Sequence, residues 1–361
     1  MAKITCNLDE LKWASGKIKA SQMTTRFITV SALVRVAFEN GKLSLTATDI
    51  DNMVKVEVNA TGDEGGEGYI ALDKFCGLID KFDKETVDIE FNEADVTLTC
   101  SAMKGKGYSI AKSNEVFEYS DVPAVEEWTA VDWEKLQQFL KISPVAVAQD
   151  NRIPKLANYY LGNDIISACQ TRVCRIEANL FNAELVIPPP VHRLWKLFDK
   201  GDIKFGLTER GILLADGKLS VLGLDGGDMG DSVVSQVRDF VKIDDDNSQI
   251  LIKKNEVLKI LERLALFTTL RDSHACKISF ANDNLILSSS DGSASEGVEY
   301  AVVSDKVDTD FSCYFQVAAL VDFFRVVADE ELVLSFGGDT LIHIVANGMV
   351  YCISRVFPDE R

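Results

Sequence analysis

The chain is poor in the residues that build reactive or crosslinked sites. Its 361 residues include three histidines, in three unrelated surroundings with no acid or nucleophile beside them. His192 reads as a helix-surface residue, His274 as a turn residue and His343 as a strand residue. Eight cysteines with no CxxC pair are too sparse for a disulfide scaffold or zinc ribbon. Cys169 and Cys174, with four residues between them, have no second pair nearby, so the cysteines read as small buried hydrophobes in a reducing cytosol. No run approaches the roughly 18 apolar residues of a membrane span. The start, Met1-Ala2-Lys3-Ile4-Thr5-Cys6, lacks the apolar core of a secretory signal and reads as the start of folded structure. GxSxG, P-loop, HExxH and GxGxxG motifs are absent, and the glycines at 223, 226, 227 and 230 lack the strand-to-helix context such motifs need. Positive charge is also short: 38 Lys and Arg against 56 Asp and Glu leave a net −18, which as an average argues against a nucleic-acid binder.

What is present is length, hydrophobicity and repetition. At roughly 100–200 residues per domain, the length suggests two or three domains, each able to bury a core. Three stretches share a turn, a short apolar strand and a polar cluster: Asn40 to Asp49, Gly162 to Gln170 and Asn282 to Asp291. Their asparagines at 40, 163 and 282 are 123 and 119 residues apart. Downstream of each, Val87–Cys100, Ile203–Asp216 and Leu332–Val345 alternate with period two about a turn, as half-buried hairpins do. Three copies of this length are too long for solenoid repeats, so each should close its own core. Domains of 1–125, 126–248 and 249–361 are expected. Linkers fall near Pro123–Glu127 and Asp244–Ser248, and the Asp244-Asp245-Asp246 run reads as a solvated linker in preference to a Mg²⁺ or Ca²⁺ site.

Each copy also carries two segments of helical period: 8–23 and 72–84, 132–143 and 190–200, 253–272 and 316–329. The fold class is therefore α+β, with two helices among roughly eight short strands per domain. These six segments hold 17 basic and 13 acidic residues, a net of +4, while the rest of the chain holds 21 and 43, a net of −22. Basic helices within an acidic protein imply two surfaces of opposite field. The last segment, with Asp322 and Asp329 against Arg325, departs from that pattern.

In its order of elements and repeat length the chain resembles the beta sliding clamp family of bacterial DNA polymerase III holoenzyme. Asn40-Gly41-Lys42-Leu43-Ser44-Leu45-Thr46-Ala47-Thr48-Asp49 is similar to the family's strand-and-turn signature. Gly68–Leu72 running into Lys81-Phe82 resembles its second helix, Ala148-Gln149-Asp150-Asn151-Arg152 its Gln-Asp-x-Arg turn, and Tyr351–Val356 its apolar tail. The resemblance implies a head-to-tail homodimer whose six domains encircle double-stranded DNA, with helices inward and continuous sheets outward. Contacts with the duplex would be few and independent of base sequence.

By the same resemblance, DNA would face Lys12, Lys17, Lys19, Arg26, Lys74, Lys81, Gln149, Arg152, Arg193, Lys196, Lys200, Lys259 and Arg263. Tyr108 of one copy would meet Leu266 and Phe267 of the next. A pocket for short motifs of the type Gln-x-x-Leu-Phe would be walled by Cys169, Thr171, Val173, Ile243 and Cys352, with Lys155, Arg238 and Ser354 at further positions. Those last three are polar where the family is mostly apolar. The implied role is a cytoplasmic, nucleoid-associated processivity factor with no catalytic residue, metal or cofactor. Its implied partners are DNA polymerase, other replication proteins and an ATP-dependent clamp loader. Two alternatives stand beside it. One is a non-catalytic adaptor or structural protein using the same triplicated fold without encircling DNA. The other is a hydrolase or carbohydrate-binding protein of several β-rich domains, for which no paired-carboxylate spacing is found.

Overall fold

The computed structural model describes residues 2–21, 29–62, 64–101, 105, 107–117, 121–148, 153–268, 274–281, 284–290, 296–302, 311–337 and 341–357. The first hairpin turns on Asn40 and Gly41, whose φ angles of 53° and 78° form the left-handed pair that suits a two-residue turn between twisted strands. Across it Leu33–Glu39 pairs with Lys42–Thr48, and alternation buries Val34, Val36, Phe38, Leu43 and Leu45. Helix α1 (Leu8–Ala20) starts at Asn7, whose side-chain oxygen accepts from the Asp9 and Glu10 amides at 2.9 and 3.1 Å. Asp9 and Glu10 in its first turn and Lys17 and Lys19 in its last complement the helix dipole. The remaining helices are α2 (Leu72–Lys81), α3 (Trp133–Ile142), α4 (Pro189–Trp195), α5 (Asp231–Phe240), α6 (Lys254–Leu264) and α7 (Val317–Val326).

The chain forms two units, Met1–Trp133 with Pro190–Asp225 and Glu134–Pro189 with Gly226–Arg361. The first holds a twelve-stranded antiparallel sheet with α1 and α2 packed together on it. Within that sheet Met53–Gly62 pairs with Leu219–Gly223, Val56 opposite Leu219, so pairing runs from the first expected segment into the middle one. The second unit holds sheets of eight and four strands. There Arg172–Ile176 pairs with Met349–Ser354, Val173 opposite Cys352, and pairing again crosses between expected segments. Under this seam Tyr351 stacks on Phe323 at 4.3 Å, and its hydroxyl donates to the Ala319 carbonyl at 3.1 Å. The middle segment is thus shared between the two units.

Several expectations are corrected. The expected helices run shorter than their apolar period. In α1 the Ser21 amide and hydroxyl bond back to carbonyls of the last turn, and α4 gives way after Trp195 to tight turns. A seventh helix, α5, follows the Gly/Asp-rich stretch 225–230 and buries Val234 and Val237. Its apolar residues Val233, Val234, Val237 and Val241 are spaced as a helix requires, so the signal was present but masked by the glycines before it. His192 is 3% exposed, not on a helix surface, because α4 is short and also buries Val191, Leu194 and Trp195. Seven cysteines are buried, whereas Cys169 is only partly so. No helix among the described residues is long and apolar enough to cross a membrane.

Candidate nucleic-acid interface and partner cleft

The seven α-helices among the described residues carry 13 basic and 10 acidic residues, a net of +3, against −21 for the rest of the chain. The asymmetry therefore survives the shorter helix bounds and the addition of α5. Individual basic residues differ in how much of their charge is available. The Lys17 ammonium donates to the Asp199 carboxylate at 2.7 Å and to the Leu197 carbonyl at 2.5 Å, and its side chain is 16% exposed. Asp199 is held below its ordinary carboxylate range, first by the bond from Lys17 and against the opposing effect of burial. The Lys12 ammonium caps the Phe82 carbonyl at 2.7 Å, Lys19 pairs with Asp80 at 3.4 Å, and Arg263 forms a two-point pair with Glu299. Lys74, Lys81, Lys196, Lys200 and Lys259 are exposed and make no ion pair among the described residues; Arg193 is exposed on α4. Arg26, Gln149 and Arg152 lie outside the described residues.

A cleft of about 380 Å³ opens in the second unit. Its floor comes from the sheet, where register sets Ala168, Val173 and Cys352 side by side. One wall is the short turn containing Ile153 and Leu156, and the other is α5 with Val233, Gln236, Val237 and Phe240. The turn Cys169–Arg172 closes one end, with Leu341 and Ser354 completing the lining. Helix α5 is held there by a charge network. Asp164, whose side chain is 5% exposed, accepts from Arg238 at 2.7 and 3.2 Å and from Arg175 at 2.8 Å. Burial pushes the Asp164 carboxyl up, but the bonds from the two guanidinium groups outweigh it and hold it below its ordinary range. Arg238 also lies over the Tyr160 ring at 5.7 Å.

Of the residues expected to wall a pocket, Cys169, Thr171, Val173, Cys352 and Ser354 line this cleft. Lys155, Arg238 and Ile243 lie off this lining. Arg238 is turned to Asp164, the Lys155 ammonium lies against Gly230, and Ile243 is half-buried beyond the end of α5. Sequence reasoning missed Arg172, Ile153, Leu156, Leu341 and the whole α5 wall. For α5 a helical period was legible; for the others only tertiary pairing brings them together. Cys169 accompanies Arg172 at the turn. Burial raises its thiol pKa, but bonds from Thr171 and Arg172 outweigh this and lower it below that of an ordinary thiol. The Thr171 carbonyl accepts from the Ser354 amide at 2.9 Å, locking the turn to the last strand.

Tyr108 is 48% exposed on the edge strand Tyr108–Ala111 of the first unit, its ring tilted over Phe82 at 6.2 Å. In the second unit Leu266 is 82% exposed in the 3₁₀ turn after α6. The neighbouring Phe267 is half-buried and packs at Gly297 of the edge strand Glu296–Val302. Both aromatic positions thus lie at sheet edges, where backbone groups remain for pairing. Among the described residues no three His, Cys, Asp or Glu side chains gather as metal ligands.

No family model matches the sequence, and no curated protein matches it. In three dimensions the fold is that of the bacterial DNA polymerase sliding clamps. A sliding clamp from Bacillus subtilis superposes with a TM-score of 0.87 at 17% identity, covering 99% of both chains. A putative DNA polymerase III beta subunit from Eubacterium rectale gives 0.86 at 16%, again over 99% of both. A Pseudomonas aeruginosa clamp, solved with griselimycin bound, gives 0.85 at 14% over the same share of each chain.

Proposed function

We propose that the protein is a DNA sliding clamp: two copies closing head to tail around duplex DNA as a processivity factor without catalysis of its own. The observation that carries this is the full-length clamp fold joined to a charge distribution of +3 on the helices and −21 elsewhere. A weakly basic lining attracts phosphate while an acidic exterior repels DNA elsewhere, and contacts without base readout permit sliding. In this reading the domains are 1–125, 126–248 and 249–361. Lys74, Lys81, Lys196, Lys200 and Lys259 supply the mobile phosphate contacts, with exposed Arg193 in the same set. Lys12, Lys17, Lys19 and Arg263 are partly engaged within the chain.

Ring closure would set Tyr108 of one copy against Leu266 and Phe267 of the next, a heterologous contact that ends because the rotation closes. Polymerase and other replication proteins would dock short linear motifs in the cleft beside α5. A closed ring has to be opened, which implies an ATP-driven loader. The working place is the cytoplasm, at the nucleoid during replication.

Size-exclusion chromatography with light scattering tests ring closure: a particle of twice the 39.8 kDa chain mass is expected. A monomer at all salt and protein concentrations would contradict it. Replacing Lys196 and Lys200 together by Ala should lower the salt slope of DNA binding by about 2.

A further inference from the structure

We infer that the first unit carries a docking shelf of its own, where residues 121–128 cross the twelve-stranded sheet. Its occupant is a segment of another protein that alternates Lys or Arg with large apolar side chains. The shelf lies within one unit and requires neither the ring nor the cleft beside α5. The internal repeat locates it. Met53 stands opposite Leu222 at the first seam as Val173 stands opposite Cys352 at the second. Three residues before the first member of each pair stand Ile50 and Gln170, and two after the second stand Leu224 and Ser354. Gln170 and Ser354 line the cleft beside α5. Met53 and Leu222 are buried with Leu213 against Val122 and Val125 of the crossing segment. That segment leaves apolar surface uncovered around it: Ile50 is 55% exposed, Leu224 47% and Trp128 43%. Ile50 also holds a φ of 85°, costly for a β-branched side chain that gains so little burial.

Dimensions and charge say what fits. From Met53 one row of the sheet runs through Leu222, Leu213 and Gly206 to the edge strand Thr129–Ala130. These five strands at their usual spacing span roughly 19 Å, the length of an extended segment of about six residues. Val125 lies over Gly206, where an added Cβ would collide with it, and so carries the apolar strip along the row. Residues 113–134 hold seven acidic side chains and no Lys or Arg. Residues 47–54 and 221–231 add two and three acids, again with no base. That field repels nucleic acid, anionic lipid and a second copy of the same surface, and it attracts a cationic segment. Apolar side chains on such a segment cover Ile50, Leu224 and Trp128, which otherwise face water.

The test is fluorescence anisotropy of the full-length protein with three labelled octapeptides, all with blocked termini. The first alternates Lys and Leu, the second has Glu for each Lys, and the third has Ser for each Leu. The Lys-Leu peptide should bind about 10-fold tighter than either twin and weaken as salt rises. Leu224→Arg should weaken its binding about 10-fold through lost apolar contact and added repulsion. Ile50→Asn should weaken it as well while holding or raising the thermal midpoint, because Asn tolerates the left-handed backbone. Val233→Glu, in the wall of the other cleft, should leave the affinity within about twofold. Equal binding of the Lys-Leu and Lys-Ser peptides overturns the inference without relying on any variant, since charge alone then accounts for it. So does tighter binding of the Glu-Leu peptide, an affinity unchanged by Leu224→Arg, or no binding at all. Loss of binding in Val233→Glu overturns it too, by placing the peptide beside α5. Retention on circular DNA is read separately, so a clamp without this shelf is distinguishable from a protein that is no clamp.

Discussion

The same strand–turn–strand occurs twice beside a sheet seam, and the two turns have opposite characters. In the first unit the turn Asp49–Asn52 closes on itself. The Asn52 amide donates to Asp49 at 2.7 Å, its side-chain nitrogen donates to both Asp49 oxygens at 3.2 Å, and its side-chain oxygen accepts from the Leu224 amide at 3.3 Å. The space beneath is about 10 Å³, no more than one water needs. In the second unit the turn Cys169–Arg172 is closed by one backbone bond of its own, Cys169 amide to Arg172 carbonyl at 2.8 Å, and held to the last strand by the Ser354 amide; it has no carboxylate of its own. It opens onto about 380 Å³ beside α5, which is tied to the sheet through Arg238 and Asp164. One repeat spends its polar groups on itself, and the other leaves a cation and a thiol facing a cleft. The two turns share one form, and what packs beside each decides whether a cleft opens there.

Substitutions should separate the two turns by size of effect. Asp164→Ala removes the shared partner of two arginines, each about a third exposed, and should cost roughly 2–3 kcal/mol in denaturant unfolding after discounting for solvent screening. It should also release α5, raising amide exchange there and weakening cleft binding. Asp49→Ala breaks a local network and should cost about 1 kcal/mol, with no effect on the cleft. Equal costs would mean that α5 does not depend on Asp164.

Acid offers a second contrast. The folded pKa of Asp164 lies below its unfolded value of about 3.9, so its stabilisation is complete above that pH and is lost as pH falls through the folded value. Exchange of α5 amides should therefore rise below about pH 4 in the parent and be flat there in Asp164→Asn. The smallest contrast is chemical. Cys169 should be alkylated by iodoacetamide before the seven buried cysteines, as read by peptide mass spectrometry; modification of Cys174 or Cys352 first would contradict its assigned exposure.

Much of this architecture could be read from composition and spacing, because it depends on local chemistry. Asn40-Gly41 specifies a turn, period-two runs such as Val87–Cys100 specify strands, and Leu11, Ala14 and Ile18 specify one face of α1. The charge split was also legible, and it reversed the meaning of the −18 average. The cleft was only half legible. Cys169, Thr171 and Val173 lie close together in sequence, but that Arg172 between them lines the same cleft is set by tertiary pairing. Lys155 and Arg238 were placed by resemblance, and resemblance does not reveal that Arg238 is paired with a residue 74 positions away. Helix α5 was missed because glycines and aspartates before it imitate a loop.

The central claim is topological, and nicked circular DNA tests it most directly. Protein loaded by an ATP-dependent loader should stay on the circle through high-salt gel filtration and leave when one restriction cut linearises the DNA. Loss from the circle and the linear form alike in high salt, or equal retention on both, would contradict encirclement.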